Sequence, residues 1–72
     1  MKEAEFFTFL EKILLREEGS FGLDDRLVDL GWDSLAEITL IGKADSLGIK
    51  ISATELGDVE RVSDLHSLLE VN

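Results

Sequence analysis

The chain has 72 residues, with sixteen acids against seven bases for a formal charge of −9, and neither cysteine nor proline. That length predicts a single domain over residues 1–72, whose thin core hides only about 60% of the unfolded chain's surface. Disulfide frameworks and thiolate metal sites are excluded by composition, and so negative a surface repels phosphate backbones, which excludes nucleic acid as a natural partner.

Such a surface favours partners with basic patches, attracted over a distance that salt shortens. A water-excluded catalytic cleft is hard to frame in so short a chain. The expectation is therefore a module that offers one or two groups to larger enzymes and has no catalytic residue of its own. An apolar content of 44% sets the chain apart from acidic disordered tails. Lys2 is the only early positive charge, and Glu5, Glu11 and Lys12 interrupt the apolar stretch from Ala4 to Leu15. Neither a targeting segment nor membrane insertion is read from this pattern, and a cytoplasmic location is expected.

In chain order, a first helix is predicted from Lys2 to Glu17. Phe6, Phe9, Leu10, Ile13 and Leu14 recur at three- and four-residue steps as one apolar stripe. Phe7 and Leu15 flank that stripe, and Gly19 supplies a left-handed stop. The connection from Gly19 to Asp33 is long for a small domain, but Phe21, Leu23, Leu27, Val28 and Leu30 are spaced through it and should pin it to the core. A second helix is predicted from Ser34 to Leu47, with Leu35, Ile38 and Ile41 on one face and Leu40, Ala44 and Leu47 on the next. Gly42 weakens it by up to about 1 kcal/mol relative to alanine, and Gly48 ends it.

Ile49 and Ile51 have no partner strand, so an extended connector with both side chains inward is expected. Ser52-Ala53-Thr54-Glu55 matches a reciprocal helix-start pattern and predicts a short third helix ending near Gly57. A fourth helix presents Val62, Leu65, Leu68 and Leu69 to the core, with Asp58, Glu60 and Ser63 as candidate caps. The fold class that results is all-α: a four-helix bundle with a short third helix and a long loop between the first two.

The segment with chemical content is Leu27-Val28-Asp29-Leu30-Gly31-Trp32-Asp33-Ser34-Leu35, leading straight into the second helix. Ser34-Leu35-Ala36-Glu37 fits a capping box, so the residues alone allow Ser34 to be only a cap. Leu30-Gly31-x-Asp33-Ser34-Leu35 also resembles the attachment motif of the acyl carrier protein family. Leu27 before it, Leu47-Gly48-Ile49-Lys50-Ile51 after the second helix and Val62-Ser63-Asp64-Leu65 extend the resemblance over nearly the whole chain.

The resemblance implies that Ser34 carries a covalent 4′-phosphopantetheine arm. A phosphopantetheinyl transferase would place it there from coenzyme A with a magnesium ion, and Asp33 would help position that ion and the transferase. The arm would hold acyl groups as thioesters for loading and processing enzymes with basic or apolar docking patches. These would belong to fatty-acid, polyketide or related specialised biosynthesis, and the protein would be a freestanding, monomeric carrier. A phosphodiester on Ser34 would also sit in the favourable field of a helix N-terminus.

Trp32, Leu35 and Glu37 are the expected partner contacts, with Trp32 either shielding the loop or standing exposed. Between Ser34 and Leu47 the only acids are Glu37 and Asp45, fewer than the charge-rich docking helix of the family, which points to a specialised partner set. Two alternatives stand beside this reading: an aminoacyl carrier of the D-alanyl type, and an acidic helical interaction module without a prosthetic group. Asp33 departs from the histidine that usually precedes the serine in peptidyl carriers.

Other constellations are poor. Asp24, Asp25 and Asp29 lack the spacing of an EF-hand loop. His66 has no second ligand at metal spacing and is read as a boundary residue, so no metal site is expected. A Ser34–His66–Asp triad would have no oxyanion hole.

Overall fold

Glu3 and Glu5 place negative charge in the first turn of the first helix, where the helix dipole favours it. In the computed structural model, which describes residues 2–69, this helix (α1) spans Glu3–Leu14. Phe6 and Leu10 are fully buried, and Phe7, Phe9, Ile13 and Leu14 pack around them. The helix ends three residues earlier than the sequence predicts. The left-handed residue that stops it is Leu15, at φ 57°, four positions before the left-handed Gly19, and the Arg16 N–H closes back onto the Glu11 carbonyl at 2.9 Å. Leu15 therefore turns out of the bundle and is 92% exposed rather than widening the stripe.

The long connection is held by backbone bonds to the start of the last helix. The Leu27 N–H donates to the Glu60 carbonyl at 2.9 Å, the Val62 N–H to Asp25 at 3.0 Å and the Ser63 N–H to Leu23 at 2.9 Å. Arg26 and Arg61 form an isolated antiparallel bridge, and the Arg61 guanidinium donates to the Asp24 carbonyl at 2.6 Å. Phe21, Leu27 and Leu30 anchor the loop in the core as expected. Val28 does not, because Leu27–Leu30 form a 3₁₀ turn that aims it outward, and it is 63% exposed.

The second helix (α2) spans Ser34–Ser46. Its buried face is Ala36, Leu40 and Ala44. Of the face that carries Leu35, Ile38 and Ile41, the first two are largely outside and Ile41 is half-buried, and Leu47 is exposed as well. Gly48 supplies the expected stop at φ 81°, with the Ile49 N–H bonded to the Ala44 carbonyl at 2.9 Å. Ile49 and Ile51 then pack partly buried against the core, as the connector reading requires.

The third helix (α3, Ala53–Leu56) begins at the anticipated box. Ser52 Oγ accepts the Glu55 N–H at 3.2 Å, and Glu55 Oε1 accepts the Ser52 N–H at 3.1 Å. The last helix (α4, Val62–Leu69) buries Val62, Leu65 and Leu69. None of Asp58, Glu60 and Ser63 caps it. Asp64 reaches back from its first turn, and its Oδ2 accepts the N–H groups of Glu60 at 3.1 Å and Arg61 at 3.0 Å. Those two bonds, Arg61 first, hold its carboxyl below the usual carboxylate range.

Helix α1 packs on α2 and α4, and α3 on α2. The all-α four-helix architecture with a short third helix is thus the one expected. No helix among the described residues is long and apolar enough to cross a membrane.

Candidate functional site

Ser34 is the first residue of α2, and the residue before it holds the cap. Asp33 is extended (φ −144°, ψ −175°), and its Oδ1 accepts the Ala36 N–H at 2.9 Å. Capping therefore falls to Asp33, and the alternative in which Ser34 is only a cap is not the one the backbone adopts. The contrast with Ser52 is direct, since that serine spends its hydroxyl on the start of α3. Ser34 is exposed, and its hydroxyl makes no hydrogen bond among the described residues.

The lead-in to the serine is rigid for local reasons. Gly31 closes the 3₁₀ turn at φ 87°, a conformation that side chains resist, and the Trp32 N–H bonds to the Leu27 carbonyl at 3.2 Å. With Leu27 and Leu30 buried on one side of this turn, the chain enters α2 with Asp33 and Ser34 facing solvent. First-turn N–H groups have no intrahelical acceptor, so the positive end of α2 lies beside the hydroxyl.

The three expected partner contacts are placed differently from one another. Leu35 is 71% exposed next to the serine. Glu37 is half-buried, and Trp32 packs half-buried against the core, so it shields the loop more than it projects. Sequence reasoning missed the exposure of Val28, in the turn before the serine, and of Ile38, one helical turn after it. The signal was available in Leu35 and Ile38, three residues apart on a helix whose opposite face already carried Ala36, Leu40 and Ala44.

The His66 ring packs against Phe6 with centroids 4.8 Å apart and planes inclined at 60°, far along the chain from this site, and no group of side chains able to hold a metal ion occurs among the described residues.

Comparison with known proteins agrees with this geometry. The family model described as the phosphopantetheine attachment site matches residues 6–69. Among curated proteins, the chain is 35% identical over 68 residues to the nonribosomal peptide synthetase lenA of Aspergillus lentulus and 37% identical over 68 residues to D-lysergyl-peptide-synthetase subunit 1 of Claviceps purpurea. It is 28% identical over 67 residues to the nonribosomal peptide synthetase penN of Penicillium thymicola. These alignments cover 93–94% of the chain but only 2% of each relative. No solved structure matches significantly. From the family match and the fold together, the chain belongs to the phosphopantetheine attachment-site family, carriers that hold 4′-phosphopantetheine covalently on a serine, work with a phosphopantetheinyl transferase and biosynthetic enzymes, and are not themselves catalysts.

Proposed function

We propose that Ser34 is the serine that carries the arm, and that the chain delivers thioester-bound building blocks to enzymes that dock around it. The observation that supports this most is the division of labour at the start of α2. Asp33 satisfies the Ala36 N–H, which leaves the Ser34 hydroxyl exposed and uncommitted. The residues fit the group: nothing from the bundle covers that oxygen, and the helix end beside it favours an attached phosphate. Ser34 contributes the oxygen of the phosphodiester. Asp33, with only Oδ1 engaged by the helix, keeps Oδ2 to help position the transferase and its magnesium ion. When bound, the arm supplies a thiol, which this cysteine-free chain otherwise lacks.

Aminoacyl or peptidyl units are the favoured cargo, because three similar proteins are peptide synthetases. Simple acyl groups are the second reading, favoured by the aspartate that precedes Ser34. Val28, Leu35 and Ile38, all exposed, support a docking contact that is more apolar than charge-steered, with Trp32 and Glu37 at its edge.

The test is peptide mapping after incubation with coenzyme A, magnesium and a broad-specificity transferase. The tryptic peptide 27–43 contains Ser34 and no other serine. The added mass should fall on that peptide alone, and its appearance on any other serine would overturn the assignment. Loading the modified protein with aminoacyl and fatty-acyl donors in parallel then decides between the two cargo classes.

A further inference from the structure

The side of the molecule away from Ser34 carries a groove of about 660 Å³ between α1 and the C-terminal end of α2. Its floor is apolar, formed by half-buried Phe9 and by Leu47, which is 59% exposed. Its polar walls are unusual for so acidic a chain. The hydroxyls of Thr8 and Ser46 are turned back onto their own helices, bonding the carbonyls of Ala4 and Gly42 at 3.2 Å each. What remains free is Glu5 and two lysines, Lys12 and Lys43, neither of which is in an ion pair among the described residues.

Of the seven bases, Arg16, Lys50 and Arg61 already bond acceptors of the chain itself. Lys12 and Lys43 are thus two of the few uncommitted cations, and they share one apolar groove on a protein of net charge −9. A ligand seated there finds a locally positive rim around an apolar floor. The groove is open along α1, so a small amphiphile would leave its tail wet, whereas a folded segment brings its own cover.

We propose that this groove docks an acidic amphipathic helix of a partner protein, its apolar stripe on Phe9 and Leu47 and its carboxylates on Lys12 and Lys43. Ser34 and Ser46 are the two ends of α2, roughly 18 Å apart at the helical rise. A partner held in the groove leaves the serine free for a different enzyme. The proposal is independent of which serine is modified.

The experiment is an amide-resolved NMR titration of the unmodified protein with a synthetic amphipathic peptide of about four helical turns, leucines on one face and glutamates beside them. A peptide with lysines in place of the glutamates, and decanoate, are titrated in parallel. The acidic peptide should shift the amides of Phe9, Lys12, Lys43 and Leu47 saturably, and the basic peptide should not. K12A/K43A should weaken binding on the order of tenfold, while R26A/K50A, with the same net charge, should leave it within about twofold. Equal response to both peptides, equal loss in the two double variants, or groove shifts with decanoate alone would each overturn the proposal.

Discussion

At the start of α2 the carboxylate of Asp33 accepts the Ala36 N–H at 2.9 Å, and the Ser34 hydroxyl has no part in that bond. The two neighbours should therefore respond differently to truncation. Asp33→Ala removes a cap and is expected to cost about 1 kcal/mol in chemical denaturation. Ser34→Ala should stay within about 0.5 kcal/mol of the wild type, because an exposed side chain without partners is lost. Equal costs for the two variants would mean that the cap is shared. Leu15 is the other residue with a price of its own. Its left-handed backbone, at φ 57°, is unfavourable for any side chain, and at 92% exposure its isobutyl group gains little in return. Leu15→Gly should raise stability by roughly 0.5–1 kcal/mol once glycine's greater unfolded-state freedom is subtracted. A decrease would show that Leu15 has a packing role.

At the level of elements, α4 is fastened at its beginning by neighbours. Carbonyls of Leu23 and Asp25 accept N–H groups from its first turn, and Asp64 reaches back to Glu60 and Arg61. Because the folded protein holds the Asp64 carboxyl below its ordinary value, its contribution to stability is present at neutral pH. It is lost as pH falls through that lowered value. Asp64→Asn should therefore destabilise at pH 7, and the difference from wild type should shrink in strong acid. A difference that grows on acidification would contradict this sign.

The same contacts explain what the sequence could and could not disclose. The starts of α3 and the stop of α2 were legible because Ser52, Glu55 and Gly48 are the residue types those geometries demand. The stop of α1 was not, since it is made by a leucine in a glycine conformation while Gly19, also left-handed at φ 74°, lies beyond it. The start of α4 is shared between Asp64, a local acceptor, and the carbonyls of Leu23 and Asp25, which are distant in sequence and leave no local signature. In the site, the motif marked Ser34 and Asp33 by position. Exposure of Val28 and Ile38 depended on how the 3₁₀ turn and α2 rotate against the core, and apolar spacing alone does not fix that rotation.

For the molecule as a whole, a charge of −9 acts on a core of few large side chains. Phe6, Leu10, Leu40 and Leu65 are fully buried, so Phe6→Ala should cost about 3–5 kcal/mol, a large share of the stability of so small a domain. Self-repulsion should be relieved by salt, and the one ion pair among the described residues, Lys50 with Asp45, is too exposed to offset the gain when screened. The melting temperature should therefore rise from low to physiological ionic strength, each 1 kcal/mol appearing as roughly 4–8 °C. A flat or falling midpoint would remove repulsion as a determinant of stability.

Attachment at Ser34 is tested most directly by intact mass. Wild type and Ser34→Ala, both shown to be helical by circular dichroism, are incubated with coenzyme A, magnesium and a broad-specificity transferase, alongside a carrier known to be modified. The wild type should gain the mass of one phosphopantetheine and the variant none. A folded wild type that stays unmodified while the reference carrier reacts, or a Ser34→Ala protein that still gains the mass, would contradict the assignment.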